Sequence, residues 1–223
     1  MTLYLSRIRL SRSPSVQALG PLLVPSDTSH RRSAEHNLLW SVFADGPERR
    51  RDFLWRADSD GSYLALSART PKQLDLFELH EIKEFAPSLA PGDRLDFLLR
   101  ANATRMKRGG KRVDVVMDAL NEVPRGARAS ARMEAAQREG AEWLERQGGN
   151  AGFRLIDASV QDYSTETIPD PRGRRAGALR FGILDMTGQV EVSDPTLFIS
   201  QIGLGFGRAK AFGCGLMLIR RAP

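Results

Sequence analysis

Three histidines, His30, His36 and His80, and a single cysteine, Cys214, are the side chains of this 223-residue chain with the most obvious reactive chemistry. They are too few and too scattered to build a His/Cys metal cage, and no acidic cluster shows convincing ligand spacing. No metal and no other cofactor is therefore expected, which leaves histidine proton transfer near neutrality. His36 stands among Leu38, Leu39, Trp40, Val42 and Phe43, whose spacing predicts a helix from about Ser33 to Ala44. On a helical wheel it falls on the apolar side, between Trp40 and Phe43. On pattern alone such a histidine reads first as a packed core residue and second as a proton carrier. In the first turn of its helix, the dipole would disfavour the imidazolium and favour the neutral base. His30 is a weaker candidate, in a loop beside Arg31 and Arg32. His80 lies in an acidic run over residues 78–84 (ELHEIKE) that would repel a polyanion, and it reads as surface.

The second chemistry on offer is polyanion binding. Residues 100–112 (RANATRMKRGGKR) hold six cations and no acid, residues 172–180 hold four and none, and residues 199–223 hold another four and none. The whole chain carries a net charge of +6, so the remainder is net acidic and the positive charge is segregated. That segregation points to a nucleic acid, with an anionic membrane or partner protein as the alternatives. The candidate contacts are Arg100, Arg105, Lys107, Arg108, Lys111, Arg112, Arg172, Arg174, Arg175, Arg208 and Lys210. The last two lie in a glycine-rich block with Gly203, Gly205, Gly207, Gly213 and Gly215. Its glycines let a backbone pass close to phosphates while Arg208 and Lys210 engage them; a tight turn with no ligand is the alternative. The spacing is neither a Walker loop nor a dinucleotide fingerprint. Aromatic residues make up 7% and do not interleave with the basic windows, which favours a duplex or hairpin over a single strand.

These groups need elements to hold them. Strands are expected over residues 3–10, 52–56 and 62–66, with a turn at 58–61, and near 82–85. The Ser-, Pro- and Arg-rich residues 11–32 read as a long loop, and a short second helix is expected near 74–79. After a linker at 87–92 the order repeats. A strand at 94–101 leads into a basic loop, and a helix over 128–147 ends at Gly148-Gly149. Strands follow at 153–156 and 179–184, with a basic turn between them. A hairpin then enters 190–192, Asp194 caps a helix starting at Pro195, and a last strand covers 215–219. The fold class is α+β, two tandem ferredoxin-like (βαββαβ, RRM-like) domains at 1–86 and 93–223. Apolar content of 41% and 27% charged residues exclude wholesale disorder. No apolar run approaches a membrane span, the N-terminus does not read as a secretory signal, and one cysteine fits a reducing cytoplasm.

Four segments in order carry a family resemblance. His36-Asn37-Leu38-Leu39-Trp40-Ser41-Val42-Phe43 resembles an H-x-x-L-W-x-x-F motif, and Arg51-Asp52-Phe53-Leu54-Trp55 an R-D-F-L-[FW] motif. Leu98-Leu99-Arg100-Ala101-Asn102 with Lys111-Arg112 resembles L-R-A-N and a K-R pair. The glycine block resembles the G-x-G-x-x-K-x-x-G-x-G-L signature of repeat-associated RNA-processing proteins of the RAMP superfamily. Together they resemble the CasE family, the CRISPR repeat endoribonucleases of type I-E Cascade. The resemblance implies metal-independent cleavage of precursor crRNA at the 3′ side of the repeat hairpin, with a 2′,3′-cyclic phosphate product. It implies His36 as the acid–base residue and a crRNA product retained with other Cascade subunits, the chain being a monomer outside the complex. The family's tyrosine three positions before the histidine is Ser33 here, a possible assistant. That departure also supports a non-catalytic hairpin-binding or scaffold protein as the alternative.

The resemblance further implies that the turn bearing Arg172, Arg174 and Arg175 is the family's groove-entering hairpin. Changing all three to alanine is expected to weaken hairpin binding by several kcal/mol, at roughly 1–3 kcal/mol per good base contact. A shallower salt dependence is expected if some of them touch phosphates. Titrations at several salt concentrations check this; unchanged affinity and slope mean that the tip faces solvent.

Overall fold

A computed structural model describes residues 2–46, 48–49, 51–168 and 179–222, divided into two units. The first comprises residues 1–87, 167–180 and 210–213. Its elements are β1 (Tyr4–Ile8), α1 (Pro14–Leu23), α2 (Thr28–Phe43), β2 (Phe53–Ala57), β3 (Tyr63–Ser67) and β4 (Glu81–Glu84). The sheet order is β2-β3-β1-β4, with all three pairings antiparallel. Leu38, Leu39, Val42 and Phe43 of α2 pack against Phe53, Trp55, Tyr63 and Ala65 of the sheet. Two expectations fail here. Residues 11–32 are mostly helical, because Pro14 occupies the start of α1, where a missing N–H costs nothing. Between β3 and β4 there is no helix: Phe77 is inserted into the core instead, and the segment is tied down by Ser11 N–H to Leu76 O (2.9 Å) and Glu78 N–H to Arg9 O (2.9 Å).

The second unit comprises residues 88–166, 181–209 and 214–223. It contains β5 (Arg94–Ala101), β6 (Thr104–Met106), β7 (Arg112–Asp114), α3 (Val115–Leu120) and α4 (Arg128–Ala151). It continues with β8 (Phe153–Ile168), β9 (Leu179–Val192), α5 (Pro195–Leu204) and β10 (Met217–Arg221). Its main sheet runs β10-β5-β9-β8, the same order as the first, so both units are ferredoxin-like. Asp194 caps α5 as expected, accepting from Leu197 N–H at 3.0 Å, with Pro195 at the first position.

Three local readings change. The basic loop after β5 is a two-stranded ribbon, β6-β7, leading into α3, whose first amides at Val116 and Met117 donate to Asp114 (3.0 Å each). No hairpin interrupts β9: Thr187 and Gly188 stay in register opposite Leu98 and Phe97 of β5. Helix α4 runs through Gly148-Gly149 to Ala151 and stops at Gly152, whose φ of 73° is the left-handed cap conformation. Gly148 is there for close packing, since a Cβ would lie 2.5 Å from the Phe153 carbonyl oxygen. Gly149 faces open space.

The two adjacent glycines should therefore respond in opposite directions. Gly149→Ala is expected to stabilise the protein by about 0.5–1 kcal/mol through helix propensity. Gly148→Ala is expected to cost about 1–3 kcal/mol by overpacking. Urea unfolding of both variants checks the contrast.

Candidate active site

Helix α2 turns its apolar face into the first unit's core and leaves His36 half-buried at the border of that face. The imidazole lies 5.9 Å from the Trp40 ring and 6.3 Å from the Phe212 ring. A cleft of about 380 Å³ is lined by His36, Asn37, Trp40, Arg51 and Ala211. Its far wall is a short three-ten turn, Lys210–Phe212, from the glycine-rich block. Fully buried Trp55 on β2 donates its indole N–H to the Ala211 carbonyl at 3.2 Å, and Arg32 on α2 donates to the Phe212 carbonyl at 3.4 Å. Gly213 finishes the wall: a Cβ there would lie 3.2 Å from the Trp55 ring, at a backbone φ of 79°. Nothing in the sequence announces that residues 36 and 211 meet.

The His36 pKa is lowered from 6.5, first by burial and then by the positive charge of Arg51. The helix-dipole reading is corrected, because α2 begins at Thr28 and His36 stands more than two turns inside it. The result is the same: a neutral imidazole at physiological pH, able to accept a proton. Among the described residues its Nδ1 is buried with no hydrogen-bond partner. Ser33 is half-buried one turn earlier on α2, and no hydrogen bond joins it to His36. His30 is exposed, its Nδ1 3.5 Å from the Asp27 carboxylate, and does not line the cleft. His80 is not a surface residue. It is buried against Phe77 with its Nε2 3.2 Å from the Lys72 carbonyl, and burial lowers its pKa.

The basic windows divide in two once folded. Arg100 forms a two-pronged pair with Asp185 on β9, both contacts 2.9 Å. Arg105 reaches Asp118 on α3 (2.6 and 2.9 Å) and Glu139 on α4 (3.0 Å), and Lys107 also pairs with Asp118. Asp118 and Glu139 are buried, so these cations neutralise internal acids that the local sequence does not contain. Burial pushes the Asp118 carboxyl up, but the bonds from Lys107 and Arg105 outweigh it and leave the pKa below its ordinary 3.8. Arg108, Lys111 and Arg112 are exposed around the ribbon turn, and among the described residues no carboxylate pairs with them. Arg208 is exposed while its backbone N–H bonds the Asn102 carbonyl at 3.0 Å; Asn102 in turn donates to the Gly182 carbonyl at 2.8 Å. Lys210 is half-buried on the three-ten turn. Gly203 belongs to α5, whereas Gly205, Gly207, Gly213 and Gly215 form the bends that follow. Arg172, Arg174 and Arg175 lie outside the described residues.

A sequence model described as CRISPR associated protein matches residues 3–221. The chain belongs to that family. It is 33% identical over 146 residues to the CRISPR-associated endoribonuclease Cse3 of Thermus thermophilus, a match covering 61% of this chain and 60% of that protein. It is 27% identical over 188 residues to the Cascade subunit CasE of Escherichia coli, covering 82% and 88%. In fold it is similar to Cse3 bound to a 19-nucleotide RNA, with a TM-score of 0.69 and 24% identity over the full length of both chains. It is also similar to Cas6e from Escherichia coli K-12, with a TM-score of 0.56 and 21% identity over 98% of this chain and all of that one.

The divided charge gives contrasting expectations. Arg105→Gln should cost about 1–3 kcal/mol of stability by stranding buried carboxylates. The stabilisation it contributes is present above the ordinary carboxylate value and is lost as pH falls through the depressed Asp118 value. Changing Arg108, Lys111 and Arg112 together to Gln should leave stability within about 0.5 kcal/mol. Denaturation at pH 7 and pH 3 checks both.

Proposed function

We propose that this protein is a metal-independent endoribonuclease that recognises a CRISPR repeat hairpin and cuts precursor crRNA at the 3′ side of the stem. The observation that carries the reading is the cleft in which half-buried His36, its pKa lowered by burial and by Arg51, shares the lining with the Arg51 guanidinium. His36 takes the 2′-OH proton, the new P–O2′ bond forms as the P–O5′ bond breaks, and a 2′,3′-cyclic phosphate remains. The departing 5′-oxygen takes up a proton as it leaves, a step in which Ser33, one turn before His36 on α2, is at most an assistant. Cations around the phosphorane and an in-line 2′-oxygen supply the rest of the barrier reduction. The names of the relatives support this reading: Cse3 is called an endoribonuclease and CasE a Cascade subunit. Among the described residues no three His, Cys, Asp or Glu side chains converge as a metal site requires. Arg108, Lys111, Arg112, Arg208 and Lys210 supply phosphate contacts in this reading, and Arg100, Arg105 and Lys107 brace the fold beneath them. The product stays bound within a Cascade-type complex in the cytoplasm; no helix among the described residues is long and apolar enough to cross a membrane. Ser33 in place of tyrosine favours a second reading, a hairpin-binding subunit that does not cut.

Single-turnover cleavage of a bound repeat hairpin separates the two. His36→Ala is expected to slow cutting by about 10²–10⁴-fold at unchanged affinity. Ser33→Ala should cost much less, and Ser33→Tyr is expected to accelerate the reaction. Cleavage should survive excess EDTA and stop when the ribose upstream of the cut lacks its 2′-OH. Cutting by His36→Ala within a few-fold of the parent makes the histidine structural.

A further inference from the structure

We infer that Arg51 is a built anion site for the scissile phosphodiester and thus a second catalytic residue in the His36 cleft. The inference rests on the proposed function for its substrate, but its evidence is separate. Around it, acids and bases are matched: Asp52 accepts from Arg49 at 2.7 Å and from Arg69 at 2.9 Å, and Asp45 lies 3.3 Å from Arg69. Arg51 stands apart from that network. Strand alternation puts it on the side of β2 that carries Phe53 and Trp55, the side packed against α2, whereas Asp52 takes the opposite side. Its one hydrogen bond is from Nη1 to the Phe53 carbonyl at 2.9 Å, and among the described residues no carboxylate pairs with it. A half-buried guanidinium without a counter-ion is costly, and burial lowers even its own pKa. Such a group is normally discarded or neutralised; here it is kept, beside a histidine, in a cleft open to solvent.

A guanidinium presents its donors as a planar fork that matches two phosphate oxygens, which a lysine cannot do. Seated there, a phosphodiester would replace the missing counter-ion and gain stabilisation as negative charge builds on the phosphorane. The charged groups on the surrounding elements include Arg31, Arg32 and Glu35 on α2, Arg56 on β2 and Lys210 on the three-ten turn. Arg32 donates to the Phe212 carbonyl, and Glu35 is buried and interacts with Tyr63, so neither takes over the role of Arg51.

The test uses the full chain with a repeat hairpin, measuring melting, affinity for the uncleavable 2′-deoxy hairpin, and single-turnover cleavage. Arg51→Gln is expected to bind within a few-fold of the parent and to cut about 10²–10³-fold more slowly. Arg51→Lys, which keeps the charge but not the fork, should lie between them. Added methylguanidinium should partly restore cutting by Arg51→Ala. Parental cutting by Arg51→Gln overturns the inference. If that variant does not fold, parental cutting by Arg51→Lys, or no rescue of Arg51→Ala, overturns it. His36→Ala is run beside them. A dead His36→Ala with a parental Arg51→Gln sinks only the arginine, and a slowed Arg51→Gln with a parental His36→Ala sinks only the histidine.

Discussion

A buried indole N–H must find an acceptor, and in this protein that requirement builds the candidate active site. Trp55 is fully buried in the first unit's core, and its N–H is satisfied by the Ala211 carbonyl. With Gly213 against the ring face, that bond fixes the three-ten turn over β2 and α2. The turn in turn brings Phe212 to the His36 ring and Ala211 to the cleft wall. A Cβ at position 213 or a lost indole acceptor would disturb the cleft around His36 without touching the imidazole itself.

Electrostatics does the second part of the work, by leaving selected cations unmatched. Asp185, Asp118 and Glu139 absorb Arg100, Arg105 and Lys107, and Asp52 and Asp45 absorb Arg69. Among the described residues, the exposed ribbon turn, Arg208, Lys210 and the half-buried Arg51 are the cations proposed to meet a polyanion. This division explains how a chain with a net charge of only +6 presents a basic surface. Internal pairing within each unit braces the fold, and the other cations named are the proposed phosphate contacts.

The βαββαβ order was legible in the second unit and, apart from the helix expected near 74–79, in the strands of the first, because apolar alternation and the Asp194-Pro195 cap are local signals. Helix α1 was hidden by Pro14 and Ser13, residues that favour loops except at a helix start. Gly148-Gly149 resembled a stop signal because packing against Phe153, a tertiary fact, is what requires the first glycine. His36 and Arg51 each stand in a motif of the resemblance, but nothing local shows that the two line one cleft. The partners of Arg105 come from α3 and α4, so an acid-free window in sequence is not acid-free in space. His80 was misread for the opposite reason: Glu78 and Glu81 beside it in sequence pair with Arg12 and Arg9, while its ring packs on Phe77.

The central claim is that burial and the Arg51 charge hold His36 neutral and ready to accept a proton. Titrating the His36 ring carbons by NMR, with assignment confirmed by His36→Ala, tests it most directly. The account requires a midpoint below 6.5, rising when Arg51 is replaced by Gln. A midpoint at or above 6.5 in the parent, unmoved by that substitution, would contradict it.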